Sequence, residues 1–290
     1  MGPLSLPLQP HSLEDHWITL DGARMRYLRE GSGHPLLLLH GLLGYSFSWR
    51  YAIPALAPYA DVHAVDMLGV GFSDRPPNLN CCLRASAERL IRFLDAVGIT
   101  SCDLVGTSHG GAVAMMAASL APNRIKRLIL VAPANPWSSY GKHMAAFLSA
   151  PPVAWLFPWV APLLEITHDY LLRRLYGDPQ RIRPGTLAGY SAPLSQPGAF
   201  RTGLSIIGTW QQDLEELRHT LPSISHLPTL LIWGSLDNAV DPGSAEPLCH
   251  QFEHCRLIML PGVGHLPYEE APEQFNQAVI QFLQTGSSGF

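Results

Sequence analysis

Short, wholly apolar runs constrain this chain more than any other feature of it. They recur at 35–40, 62–66, 103–106, 127–132, 229–233 and 256–260, and the first, PLLLLH, is four leucines between its ends. A half-buried strand alternates polar and apolar side chains. A run without alternation therefore belongs to a strand covered on both faces. Between several of the runs lie segments of helical periodicity, notably 84–97, 109–120 and 272–283. Strand and helix alternating through short loops imply an α/β fold, a parallel sheet flanked by helices. Upstream, 16–20 and 23–29 do alternate, and Asp21-Gly22 between them suits a two-residue hairpin turn.

One interval breaks this rhythm. Between 133 and 221 no buried strand is visible, and the stretch is rich in proline, tryptophan and leucine, with helix-like pieces at 142–149, 168–175 and 200–217. It is too long for a loop and too apolar for a linker. The organisation that follows is a core formed by 1–133 and 222–290, with a helical insertion over 134–221 folding across one end of the sheet. Within it, VAWLFPWV carries Trp155, Phe157 and Trp159, which are candidates for the lining of an apolar substrate pocket. Packing of the insertion onto the core is the commoner use of such a stripe.

Composition removes several classes of function. With 47 % hydrophobic and 14 % charged residues among 290, the chain can bury a sizeable core, and a net charge of −4 offers no basic face for nucleic acid. Arg173, Arg174, Arg181 and Arg183 form a small cluster that reads as a solvated face. The five cysteines are Cys81, Cys82, Cys102, Cys249 and Cys255; their spacing suits neither a disulfide framework nor a zinc site, so idle thiols in a reducing, cytoplasmic setting are expected. The start of the chain has no basic segment followed by an apolar one, as a signal peptide would. The apolar stretch 151–164 is shorter than the roughly 20 residues that span a bilayer, and prolines interrupt it. A soluble protein without membrane insertion is expected, with no metal and no organic cofactor.

The chemistry concentrates in CDLVGTSHGGAVAMMAA. There Gly106-Thr107-Ser108-His109-Gly110 falls directly after a strand and directly before a helix. A reversal that sharp leaves no space for side chains at the flanking positions, and glycine leaves Ser108 projecting at the tip. The helix N-terminus beneath it favours developing negative charge. A serine hydroxyl needs a base to become a nucleophile. Of 13 histidines, His265 in PGVGH lies in a glycine-flanked loop after the last apolar run, at the sheet edge where such folds present functional groups. His109 adjoins Ser108, but its side chain should follow the new helix away from the hydroxyl. The carboxylate that orients the base is Asp237, at the end of TLLIWGSLD; Asp241 competes, but it precedes a proline and suits a cap. Two backbone amides should stabilise an oxyanion: that of His109, and that of Leu42 in the loop HGLLG, which His40 and Gly41 support.

Five landmarks, HGLLG at 40–44, DMLGVGFSD at 66–74, GTSHG at 106–110, WGSLD at 233–237 and PGVGH at 261–265, occur in an order that resembles the α/β-hydrolase family over about 17–283. The resemblance implies an eight-stranded, mostly parallel sheet with a helical cap between strands six and seven and the active site beneath it. Family members that open haloalkanes or epoxides carry aspartate at the nucleophile position, and Ser108 argues against both reactions. Others keep the acid after strand six, where this chain has Ala134-Asn135-Pro136, which leaves Asp237. The HGLLG loop lacks the extended HGGG form of many lipases. It looks more like that of capped esterases, carbon–carbon bond hydrolases and serine perhydrolases.

The function these residues imply is hydrolysis of carboxylic esters through an acyl-enzyme. Hydrolysis of a carbon–carbon bond in a vinylogous diketone is the alternative. A non-catalytic ligand receptor has less reason to keep all three triad residues. No pair of arginines stands out to clamp an acid, so a neutral, hydrophobic small molecule is the expected substrate.

Overall fold

The computed structural model describes residues 13–140 and 165–285, together with Val153. The expected helix at 142–149 and the aromatic residues Trp155, Phe157 and Trp159 lie outside the described residues. Eight strands form one sheet: β1 (Asp15–Leu20), β2 (Ala23–Gly31), β3 (Pro35–Leu39), β4 (Asp61–Val65), β5 (Cys102–Thr107), β6 (Ile125–Val131), β7 (Thr229–Gly234) and β8 (Cys255–Leu260). Their order across the sheet is β1-β2-β4-β3-β5-β6-β7-β8. The pairs β1–β2 and β2–β4 are antiparallel and every later pair is parallel. The hairpin between β1 and β2 turns on Asp21 (φ 52°) and Gly22 (φ 80°), two consecutive positive φ values as a type I′ turn requires.

The unbroken apolar runs divide their side chains between two cores. Leu37 and Leu39 join Leu104, Leu128 and Leu130 on one face; Leu36 and Leu38 join Val105, Ile129 and Val131 on the other. The first face is covered by α2 (Leu83–Ala96) and α3 (His109–Leu120), which supply Leu90, Phe93, Met115 and Met116. On the second face, Ile53 and Leu56 of α1 (Ile53–Leu56) join Trp49. Strand β8 departs from the reading. Of its six side chains only Leu260 is buried, and Met259 is 38 % exposed, because β8 is the sheet's last strand and only one long side of it is paired.

All regular structure described between β6 and β7 is helical: α4 (Glu165–Leu175), α5 (Thr186–Ser191) and α6 (Ala199–Thr220), with short 3-10 turns between them. After β7 come α7 (Ala245–Cys249), α8 (Pro267–Glu270) and α9 (Pro272–Thr285). Among the described residues no helix is long and apolar enough to cross a membrane.

The cysteines require a correction. Cys249 and Cys255 are joined in a disulfide, so the expectation of idle thiols holds only for Cys81, Cys82 and Cys102. The cause is tertiary: α7 ends at Cys249, the chain reverses, and β8 begins at Cys255, which brings the two Cα atoms to 5.6 Å, within the range a disulfide bridges.

Phe275 of α9 is fully buried, packed near Trp49 and Tyr268. Replacing it with alanine should cost about 3–5 kcal/mol, read as a lower urea midpoint with an unchanged slope.

Candidate active site

Ser108 joins β5 to α3 with φ 51° and ψ −122°, a conformation that L-residues rarely adopt and that costs on the order of 1–3 kcal/mol. Its surroundings hold it there. Its amide donates to the Val131 carbonyl (3.0 Å), and its carbonyl accepts from the amides of Gly111 (3.0 Å) and Ala134 (2.9 Å). The flanking glycines are steric requirements. A Cβ on Gly106 would lie 2.4 Å from the Gly110 carbonyl oxygen, and a Cβ on Gly110 would lie 2.4 Å from that of His40. Ser108 itself is half-buried.

Asp237 and His265, both buried, meet through Asp237 Oδ2 and His265 Nδ1 at 2.7 Å. The other carboxylate oxygen accepts from the amides of Ala239 (2.7 Å) and Val240 (3.0 Å), so the acid is held on both sides. With Nδ1–H engaged by the carboxylate, the neutral imidazole keeps its Nε2 lone pair for a proton. Asp241, the competing acid, caps the 3-10 turn Pro242–Ser244 by accepting from the Gly243 amide, and it also accepts from the Ser139 hydroxyl.

The loop carrying His265 crosses the end of β7 at van der Waals contact. A Cβ on Gly234 would fall 2.0 Å from the Gly264 carbonyl oxygen, and one on Gly264 would meet Gly177 N and Leu175 O at 2.4 Å each. The His265 amide donates to the Leu175 carbonyl (2.7 Å). Glu270, buried, accepts from the amides of Gly177 (2.9 Å), Asp178 (2.8 Å) and Gly264 (2.7 Å). Sequence reasoning missed Glu270; the one local hint is that Glu269 and Glu270 stand side by side, both buried, shortly after the histidine loop.

The HGLLG loop lies against Ser108. A Cβ on Gly41 would stand 3.1 Å from Ser108 Cβ, so this position admits no side chain without displacement. Leu43 takes φ 58°, and the Gly44 amide closes the turn onto the Gly41 carbonyl (3.0 Å). His40 is bonded on both ring nitrogens: its Nδ1 donates to the Gly41 carbonyl (2.8 Å), and its Nε2 accepts from the Met67 amide (3.1 Å). Burial lowers its pKa, consistent with this neutral form. Among the described residues the amides of Leu42 and His109 have no protein acceptor. The His109 ring stacks on Trp210 of α6, and burial, with His40 and Arg89 nearby, brings its pKa down to about 4.

Residues 34–272 match the profile described as the alpha/beta hydrolase fold. The chain belongs to the α/β-hydrolase family. Haloalkane dehalogenase 2 of Mycobacterium bovis is 28 % identical to it, covering 94 % of this chain and 96 % of the relative. The 2-hydroxymuconate semialdehyde hydrolase of a Pseudomonas species is 27 % identical, covering 90 % and 91 %. A solved meta-cleavage product hydrolase from Pseudomonas fluorescens superposes with a TM-score of 0.79 at 26 % identity, covering 93 % of this chain and 97 % of that one. These relatives place the chain among the family's hydrolases. His250 and His254 stand four apart in HQFEH, but α7 ends before them, and among the described residues no group of three His, Cys, Asp or Glu side chains could hold a metal.

Glu270→Gln replaces one acceptor oxygen with an amide that cannot accept. It should cost about 1–3 kcal/mol for each buried N–H left unpaired, measured by denaturant unfolding. His109 yields a pH prediction. Its folded pKa of about 4 lies below the ordinary 6.5, so the stability it contributes is complete above 6.5 and lost as pH falls toward 4. Thermal unfolding of His109→Gln should therefore decline less steeply than wild type across that window.

Proposed function

We propose that the chain is a serine hydrolase of carboxylic esters, with Ser108 as nucleophile, His265 as base and Asp237 as its orienting acid. The observation that carries the reading is the buried 2.7 Å contact between Asp237 and His265 at the sheet edge that also presents the strained Ser108. His265 Nε2 takes the hydroxyl proton as Ser108 attacks the ester carbonyl. The unpaired amides of Leu42 and His109 receive the charge on the carbonyl oxygen. His265 then gives its proton to the departing alcohol, and water repeats the sequence on the acyl-enzyme. The helical insertion acts as a cap over this edge, and a neutral, hydrophobic ester suits the apolar composition of that segment.

Two of the relatives' reactions fit these residues less well. The dehalogenase just described and the mouse epoxide hydrolase 3 (28 % identical) act by name on haloalkanes and epoxides. If Ser108 displaced a halide or opened an epoxide, it would become an ether, which has no carbonyl for water to attack. A carboxylate nucleophile would form a hydrolysable ester, and position 108 has none. Carbon–carbon bond hydrolysis remains the second reading, supported by the semialdehyde hydrolase and the meta-cleavage product hydrolase. The same triad serves both bonds.

Purified protein should turn over p-nitrophenyl butyrate and be labelled at Ser108 by a fluorophosphonate. Ser108→Ala should lower kcat at least about 10³-fold, and Asp237→Asn, which presents the wrong tautomer, by about 10⁴-fold. A strong preference for a ring-fission dienoate over simple esters would instead select the second reading. No turnover and no label at Ser108 would refute both.

A further inference from the structure

Arg89 sits on the inner side of α2 and is only 6 % exposed. Other arginines with buried acids nearby are matched to them: Arg26 faces Asp66, Arg50 faces Glu269 and Arg127 faces Asp103. Among the described residues Arg89 has no such partner: no carboxylate lies within ion-pair distance of it, and its one hydrogen bond runs from Nη2 to the Ser86 hydroxyl (3.1 Å). Its Nε–H is enclosed with no acceptor, and so is His109 Nε2. Of the stretches outside the described residues, 1–12, 141–152, 154–164 and 286–290 contain no Asp or Glu side chain.

Arg89 and His109 line one cavity of about 20 Å³, with Cys81, Ser86, Leu42 and Thr202 also in its wall. A water needs roughly 10–15 Å³ of such space, so the cavity admits a group of about that size. Water could satisfy the N–H groups but would leave the charge uncompensated, and burying an unpaired ion is strongly unfavourable. Cys81 is no counter-ion, because burial raises the pKa of its thiol.

We propose that Arg89, Ser86 and His109 form a binding site for a compact monoanion, a halide or a carboxylate group, in the wall behind the loop that carries Leu42. Arg89 supplies the charge and its free Nε–H. Ser86, whose oxygen already accepts from Arg89, has its own O–H to donate, and the His109 imidazole offers an N–H in the appropriate tautomer. Leu42 and Gly41 line the same cavity, so the occupant lies next to the backbone assigned to the oxyanion. The anion arises from one of two sources, the solution or the acid end of a substrate.

Two measurements separate these sources. The first is thermal unfolding in gluconate buffer at fixed ionic strength, titrated with sodium chloride or sodium formate. A free-anion site gives a saturating rise in Tm for the wild type, lost in Arg89→Met and partly kept in Arg89→Lys. The second compares the mono-p-nitrophenyl ester of glutaric acid with p-nitrophenyl butyrate. A substrate-carboxylate site gives at least a tenfold drop in kcat/KM for the acid ester alone in Arg89→Met. Only this second measurement rests on the ester reading, so a protein inactive on both esters is still judged by the first. A positive result in either supports the site and names its source. A wild-type Tm indifferent to both anions, with no loss specific to the acid ester, overturns it. If Arg89→Met does not fold, Arg89→Lys and the wild-type titration decide.

Discussion

The geometry of the site depends on one steric constraint, the reversal at Ser108 from strand to helix within a single residue of positive φ. Such a turn is unstable alone, and here it is clamped by parts that arrive from elsewhere. Val131 and Ala134, at the end of β6, hold the backbone of Ser108 on both sides. The helix start presses against the preceding strand so closely that Gly106 and Gly110 admit no Cβ, and Gly110 in turn rests on the carbonyl of His40. One contact surface thus sets the spacing between the Ser108 turn and the HGLLG loop. The amides of Leu42 and His109 belong to those two pieces, so their separation follows from backbone packing rather than side-chain choice.

His265 reaches this place by a longer route. Strands β6 and β7 stand between β5 and β8 in the sheet, so a histidine delivered after β8 must return across the ends of neighbouring strands. The chain manages this with glycines stacked on glycines: Gly264 lies over Gly234, and Gly177 of the helical insertion lies over Gly264. Glycine permits contact but does not enforce it. Enforcement comes from Glu270, whose carboxylate collects amides from both the histidine loop and the insertion.

This division explains what could be read in the sequence. Strands β3 to β7 were legible because burial on two faces removes alternation, and the Asp21-Gly22 turn because consecutive positive φ values leave few residue choices. Asp237 and His265 could be picked out because both follow apolar runs, in loops at the edge where the strands end. Glu270 and Arg89 were not. A charge on a helix reads as a solvated face, and burial of that face depends on which element later covers it. The bond between Cys249 and Cys255 was hidden for the same reason, since only the reversal after α7 brings them together. The edge position of β8 is likewise a property of strand order, which local composition does not encode.

The docking of the insertion belongs to the same class of hidden interactions. Glu269 forms a buried ion pair with Arg50 and accepts hydrogen bonds from Tyr190 (2.7 Å) and Tyr176 (3.4 Å), both from the insertion, while Arg50 also donates to Thr186. A buried ion pair adds little net stability over apolar packing, but removing one partner is costly. An interface built this way specifies register more than it adds adhesion. Glu270, the next residue, grips the insertion's Gly177 and Asp178 together with the histidine loop. Two adjacent carboxylates thus fix the insertion to the core and His265 to the insertion, and the seat of His265 is complete only when the insertion is in place.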